Sequence, residues 1–224
     1  ASLTNKKYKG MAPGADIVVV KAGNGSFSDN NVKDALKYAQ YISSTESKPV
    51  VVNLSLGSQS NAHDGTSTVD EAVDAFTASG NGRVAVVAAG NDCNELMHVT
   101  GSVANSATGD ITFTVPSFSP NSGSGNDYFI FELWWNNNGN ISATIESPDG
   151  FSYTRAADAE GTSNTDDGSI TIINKTDSDH SNGDRRTYIE IFDGVANVGP
   201  EVGTWTLSLA NGSGSSMTYH AWLV

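Results

Sequence analysis

Three short runs of β-branched and small apolar residues divide the first half of the sequence and restrict its fold more than any other feature. They occupy residues 17–20, 50–56 and 84–89. Apolar residues recur at helical spacing between them, first over residues 32–42 and then over residues 69–76. Strands that alternate with helices over short connections predict a parallel sheet with right-handed crossovers.

The ends of the predicted helices carry capping signals. Residues 28–30 offer an N-cap for the first helix, and Pro49 closes that region. Thr68 and Glu71 have the spacing of a capping box, and Gly80 suits the position after the second helix. Ligands of such sheets bind at the carboxyl ends of the strands, so residues 21–25, 55–58 and 90–94 are candidate site segments.

Beyond residue 105 the apolar residues change from helical spacing to strict alternation. Ile111, Phe113 and Val115 show it first, and residues 129–133, 141–145, 170–172, 188–192 and 205–209 repeat it. Many short alternating strands separated by turn residues predict an antiparallel β-sandwich or jelly roll. The predicted fold class is therefore a partial α/β parallel-sheet unit over residues 1–104, followed by an all-β jelly-roll or sandwich unit over residues 105–224.

Charge separates the same two halves. The net charge is −13, of which residues 1–104 carry −2 (8 basic, 10 acidic) and residues 105–224 carry −11 (4 basic, 15 acidic). Such an acidic chain argues against a nucleic-acid partner, because phosphate binding needs a basic surface. No apolar run approaches the roughly 20 residues of a membrane span. The acidic half is either a solvated surface or holds calcium through some of its carboxylates.

Three segments of the first half carry a resemblance when they are taken in order. They read Gly-Met-Ala-Pro-Gly-Ala-Asp-Ile at residues 10–17, Val-Asn-Leu-Ser-Leu-Gly at residues 52–57, and Ala-Ala-Gly-Asn at residues 88–91. Each alone is weak. Together, with helices between them, they resemble the subtilisin family over about residues 8–95. The resemblance implies a secreted bacterial serine endopeptidase that acts on peptide or protein substrates.

The resemblance also assigns roles to seven residues. Asn91 matches the oxyanion-hole asparagine, whose side-chain amide donates to the negative oxygen of the tetrahedral intermediate. The segment Ser55, Leu56 and Gly57 matches the strand edge that pairs with an extended substrate. The remaining matches, at the wall of the specificity pocket, are Ala88, Ala89 and Gly90. From the residues alone, Asn91 is equally compatible with a turn residue that ends a strand, and the 55–57 segment with an ordinary strand end.

The departures from the family are as informative as the matches. The family's aspartate lies in D-[ST]-G, its histidine in H-G-T-H and its nucleophile in G-T-S-M-A-x-P, and none of these motifs occurs in the sequence. A segment at residues 63–67, His-Asp-Gly-Thr-Ser, copies part of the last motif but precedes Asn91. We therefore predict that this chain holds no triad residue, is inactive alone, and depends on catalytic segments elsewhere in the same protein. For Ser67 we predict helix capping, at a loop that borders the substrate cleft.

The predictions for other residues near the predicted cleft are less specific. His98 is expected to be a hydrogen-bonding loop residue rather than a ligand or base. The only cysteine, Cys93, cannot form an internal disulfide, and we expect it to be partly buried near the cleft. No cofactor is predicted with certainty. Calcium is the candidate, through crowded oxygen ligands at Asp177, Asp179, Asn182 and Asp184, although these residues lack the spacing of an EF-hand and a solvated loop is the alternative.

The acidic half resembles the jelly-roll domains that some clostridial-type subtilisin-like proteases insert between the oxyanion asparagine and the serine. Residues 147–150 and 203–207 are its best markers. Two rival interpretations stay open at this point. The chain is either part of a non-catalytic pseudoprotease whose jelly roll binds carbohydrate or protein, or it carries a jelly roll that serves only folding or assembly.

Overall fold

Two helices and two parallel strands form the first unit, in the order that the sequence predicts. In the computed structural model, which describes residues 10–136, 139–177, 180–195 and 198–224, α1 spans Asp29–Glu46, β1 Val50–Leu54, α2 Thr68–Ala78 and β2 Arg83–Val87. The two strands pair in parallel from Val50 opposite Arg83 to Leu54 opposite Val87. The crossover through α2 therefore places the carboxyl ends of both strands at one edge.

Side-chain caps fix where each helix begins. The Ser28 side chain accepts a hydrogen bond from the backbone N–H of Asn31, as the sequence predicts for α1. In α2 the cap is Ser67, one residue before the predicted capping box. Its hydroxyl accepts from the backbone N–H of Asp70 and donates to the Asp70 carboxylate. Each cap thus satisfies one of the four backbone N–H donors that the first turn of a helix leaves without an intrahelical partner.

The prediction of a strand at residues 17–20 is wrong, because these residues lie in no strand of the structure. Ile17 and Val19 are 86% and 87% exposed, so the run buries almost none of its apolar surface. β-propensity reflects packing against neighbouring strands more than a preference of the backbone itself. The sheet of this unit contains β1 and β2 alone among the described residues, and it offers this run no ladder partner.

A small core joins the helices to one face of the two-stranded sheet. Leu36 of α1, Leu54 of β1 and Phe76 of α2 form its centre. Leu56 packs against them from the segment that follows β1. The opposite face, with Val51, Val84 and Val86, remains exposed.

In the part of the chain that the structure describes, the second unit consists of ten strands in two antiparallel sheets. The strands are β3 His98–Val103, β4 Thr108–Val115, β5 Tyr128–Trp135, β6 Ile141–Glu146, β7 Ser152–Arg155, β8 Ala159–Thr165, β9 Gly168–Thr176, β10 Arg185–Phe192, β11 Gly203–Asn211 and β12 Met217–Leu223. One sheet has the order β3-β12-β5-β10-β9-β8 and the other β4-β11-β6-β7. Trp205 and Ile145 from the smaller sheet and Leu133 and Ile189 from the larger one belong to one buried cluster. The two sheets therefore share a single apolar core.

Four strands were not predicted, namely β3, β7, β8 and β12. The first of these corrects the expectation for His98, which begins strand β3 and is not a loop residue. Strand β3 pairs with β12 from Val103 opposite Met217 to His98 opposite Trp222. The six-stranded antiparallel sheet of the second unit thus begins at residue 98, and it includes β12, the last described strand of the chain.

Candidate active-site edge

The seven residues assigned by resemblance lie at one edge of the β1–β2 sheet. Because the strands are parallel and in register, the segments that follow Leu54 and Val87 leave the sheet side by side. The backbone N–H of Ala88 donates to the carbonyl oxygen of Leu54 at 3.1 Å, which extends the pairing one step past the strands. The structure thus brings Ser55, Leu56 and Gly57 together with Ala88, Ala89, Gly90 and Asn91.

Asn91 is exposed at this edge. It follows Gly90, whose φ of 89° is a conformation that favours glycine, so the chain turns sharply between strand and asparagine. Ser55 accepts a hydrogen bond from the Asn53 side chain at 3.0 Å. Cys93 is exposed rather than partly buried, so the expectation for it is wrong, since every residue of the 91–95 segment lies at the surface.

A side-chain bond ties together the two loops that leave this edge. The Gln59 amide donates to the Asp92 carboxylate at 2.8 Å, joining the loop after β1 to the loop after β2. Residues 20–24, which overlap the first of the three candidate segments (residues 21–25), instead line an open groove of about 540 Å³ against α1. None of the residues that line this groove belongs to the edge at Asn91.

The loop between β1 and α2, residues 58–67, lies on the outer face of the six-stranded sheet. The backbone N–H of Asn61 donates to the carboxylate of Glu132 at 2.9 Å. At the other end of the loop, the N–H of Ser181 donates to the carbonyl oxygen of Thr66 at 3.3 Å, and Ser67 forms an isolated bridge with His180. We call this segment the 58–67 loop.

Three of the four histidines of the chain surround Trp222 at this contact. The rings of His63, from the 58–67 loop, and His98, from β3, stack on Trp222 at centroid distances of 4.4 and 4.7 Å. His98 Nε2 lies 3.1 Å from Nδ1 of His220, so at least one of these imidazoles accepts a hydrogen bond. Burial, followed by the nearby His220 and His63, lowers the pKa of His98.

The fourth histidine belongs to a buried polar cluster beside the same loop. His180 Nδ1 lies 3.3 Å from an Asp177 oxygen, and its ring lies 4.3 Å from that of Trp134. Arg186 bridges the cluster, because its Nε is 3.1 Å from Asp177 and its Nη1 is 3.5 Å from Glu132. Charged groups with so little exposure need such partners to offset the loss of water.

The predicted calcium ligands fall partly into a hydrogen-bonded acidic group. The Asn182 amide donates to both Asp64, at 2.8 Å, and Asp184, at 2.9 Å. Burial and the neighbouring Asp64 raise the pKa of Asp184. Asp179 lies outside the described residues. Across the described ranges, no three or more His, Cys, Asp or Glu side chains are arranged to hold a metal ion.

Sequence reasoning missed the surface on which the 58–67 loop lies. One signal was available, since the alternation of β5 places Glu132 and Trp134 on the face opposite the core residues Leu133 and Trp135. A glutamate is ordinary on a solvated face, but a tryptophan beside it indicates that something covers this face. The segment that covers them was not identifiable from sequence spacing.

Neither helix among the described residues is long and apolar enough to cross a membrane.

Comparisons with known proteins agree with the three sequence segments. A model described as the Subtilase family matches residues 1–183. Among solved structures, the Clostridium perfringens CspB protease superposes with a TM-score of 0.70 at 22% identity, over 90% of this chain and 42% of that one. PliG, a periplasmic lysozyme inhibitor of g-type lysozyme from Aeromonas hydrophila, matches at 8% identity and a TM-score of only 0.28, over 78% of this chain and 97% of that one. The chain thus spans about two-fifths of the clostridial protease, with which it shares its fold. Since the family model covers most of its length, this chain belongs to the subtilase family.

Proposed function

We propose that the chain is the segment of a secreted subtilisin-like serine endopeptidase that supplies the oxyanion donor and the substrate-binding edge. The observation that carries the proposal is the meeting of two segments at one sheet edge. Asn91 lies four residues beyond the end of β2, and the backbone of Ala88 pairs with Leu54 immediately before Ser55. An oxyanion donor and a strand that holds the substrate must be neighbours for one peptide to reach both.

The chemistry follows from the groups at this edge. The Asn91 amide donates to the oxygen that becomes negative when a serine attacks the scissile carbonyl. Residues 55–57 have left the ladder, so their backbone groups are available to an extended peptide, which binds as an added strand with little demand on its sequence. The small residues Ala88, Ala89 and Gly90 leave room for a substrate side chain at the pocket wall.

The catalytic serine, histidine and aspartate belong to other segments of the same protein under this proposal. The described edge contains Asn91 but none of the family's triad motifs. Acyl transfer needs the serine within hydrogen-bond reach of its base. The 224 residues alone are therefore expected to hydrolyse peptides poorly.

We assign the all-β unit as an inserted jelly roll that follows the oxyanion asparagine. The two antiparallel sheets with one core support this assignment. The predicted unit boundary after residue 104 moves to the start of β3 at His98 in this proposal, because β3 is hydrogen-bonded to β12. Calcium binding by the acidic half stays a prediction.

The test replaces the proposed donor in the intact parent protein. In Asn91→Ala we expect the turnover number on a chromogenic peptide to fall about 10²–10³-fold, while KM changes little, because the lost bond forms only as the oxyanion develops. Asn94→Ala, in the same exposed loop, is the matched control and should leave both parameters unchanged. An unchanged turnover number in Asn91→Ala would refute the assignment, whereas the absence of turnover in the wild-type parent would favour a non-catalytic binding role.

A further inference from the structure

The outer face of the six-stranded sheet holds a buried carboxylate directly under the 58–67 loop. In the sheet register Glu132 of β5 lies opposite Trp222 of β12 and Tyr188 of β10, so these side chains share one face. Glu132 is only 2% exposed, although this face lies opposite the core between the two sheets. The 58–67 loop contributes to this burial, since the Asn61 backbone approaches one carboxylate oxygen to 2.9 Å.

The carboxylate is shared between the loop and the sheet. The oxygen that accepts from Asn61 also accepts from the indole Nε1–H of Trp134 at 3.3 Å, and the other oxygen lies 3.5 Å from Arg186. Trp134 and Arg186 belong to two adjacent strands, β5 and β10. The position of the Glu132 side chain is therefore set by the rigid sheet, and the loop conforms to it.

The backbone at Asn61 needs such support. Its φ is 94°, in a region that non-glycine residues seldom adopt and that costs free energy unless surrounding contacts impose it. The hydrogen bond to Glu132 is one contact that imposes it. Without this acceptor, Asn61 is expected to relax towards negative φ and to shift its neighbours.

Such a shift would reach the substrate-binding edge through a short chain of bonds. Asn61 lies four residues after Gly57. Between them, Gln59 bonds the Asp92 carboxylate through its side chain at 2.8 Å, and its carbonyl oxygen lies 3.0 Å from His63 Nε2. Movement at Asn61 therefore acts both on the segment 55–57 and on the loop that carries Asn91.

We propose that Glu132 is a positioning residue for extended peptide substrates, because its carboxylate fixes the 58–67 loop and thereby the strand edge formed by Ser55, Leu56 and Gly57. The inference rests on the proposed function. It assigns to the β unit an indirect part, through the 58–67 loop, in the binding of peptides long enough to pair with that edge. The KM of a single-residue ester, which does not reach along the edge, should not depend on Glu132.

Two conservative variants in the intact parent protein separate the hydrogen bond from the charge. Glu132→Gln keeps an oxygen at the same reach but loses the charge beside Arg186. Glu132→Asp keeps the charge but withdraws the oxygen from Asn61 by one methylene. Positioning through the Asn61 bond predicts that Glu132→Asp raises KM for an extended peptide about tenfold, as expected for losing one bond to a charged group. Glu132→Gln should remain within about twofold of wild type.

The controls compare substrates and sites. KM for a single-residue ester should stay within about twofold in both variants. Glu190→Gln changes another carboxylate on the same sheet face, two residues from Tyr188, and should leave both substrates unaffected. Hydrogen exchange of the 58–67 loop should accelerate in Glu132→Asp and stay close to wild type in Glu132→Gln.

The proposal is overturned if Glu132→Gln is the damaged variant, which would indicate a structural charge role, or if neither variant changes the KM ratio of peptide to ester. Equal losses on both substrates would also overturn it. These outcomes are distinct from failure of the proposed function, which appears as an unchanged turnover number in Asn91→Ala.

Discussion

Replacing Trp222 by leucine tests the contact between the two units at its largest aromatic side chain. The indole is 9% exposed and lies between the ring of His63, from the 58–67 loop, and that of His98, from β3. Leucine keeps a buried apolar side chain at the end of β12 but removes the two closest stacked ring contacts, those with His63 and His98. The change therefore addresses the ring contacts more than the burial of the strand.

The expected loss follows from the two contacts. Aromatic pairs at such distances contribute about 0.5–1.5 kcal/mol each beyond their buried area. Losing the contacts at 4.4 and 4.7 Å should therefore lower the free energy of unfolding by about 2 kcal/mol. The His63 contact alone should account for about 1 kcal/mol of this loss.

Urea denaturation of Trp222→Leu, His63→Ala and the double variant measures both quantities. The double-mutant cycle should give a coupling energy of about 1 kcal/mol between the two positions. Tyr128→Leu, which changes an exposed aromatic residue of β5, is the control and should change stability by less than about 0.5 kcal/mol. A coupling energy below about 0.3 kcal/mol would show that the loop does not depend on this stack, and the reasoning would be refuted.

Two further predictions concern protons and the helix cap. Because the pKa of His98 is lowered in the folded state, the unfolded chain binds more protons below about pH 6.5. Its contribution to the free energy of unfolding should thus be fully present above that pH and be lost as pH falls through the folded pKa. Urea titrations at several pH values measure how the free energy of unfolding changes with pH. This dependence should be weaker in His98→Gln than in wild type, and an unchanged dependence would contradict the prediction. Ser67→Ala should lower stability by about 1 kcal/mol, because the α2 cap is lost, while the turnover number of the parent stays unchanged. A large loss of turnover without a loss of stability would instead point to catalysis by Ser67.

The helices and the parallel pair could be predicted because local signals and tertiary packing agree there. Val32 and Leu36 recur at helical spacing, and both are buried in α1. The alternating apolar residues of β5, β9 and β11 likewise face the shared core. At these positions the spacing of the apolar residues in the sequence equals the spacing of the buried residues in the structure.

The strands that could not be predicted lack this agreement. Strand β8 (Ala159–Thr165) consists of small and polar residues and pairs with β9 alone, so its backbone bonds and not its side chains define it. Strand β3 contains Gly101, where the ring of Tyr219 occupies the space that a Cβ would need. The need for glycine at this position comes from Tyr219, about 118 positions away in the sequence. The spacing of residues along the chain does not reveal such a contact.

Residues 63–67 show why a motif needs its surroundings before it can be assigned chemistry. The Ser67 hydroxyl is engaged twice by Asp70, as acceptor from its N–H and as donor to its carboxylate. His63 Nε2 lies against the carbonyl oxygen of Gln59, and its ring stacks on Trp222. A serine nucleophile needs its hydroxyl free to donate to an imidazole, and here both partners are occupied by structural contacts. The residues that resemble a catalytic motif therefore cap a helix and hold a loop against the sheet. The candidate catalytic role stays with Asn91, which is exposed at the sheet edge.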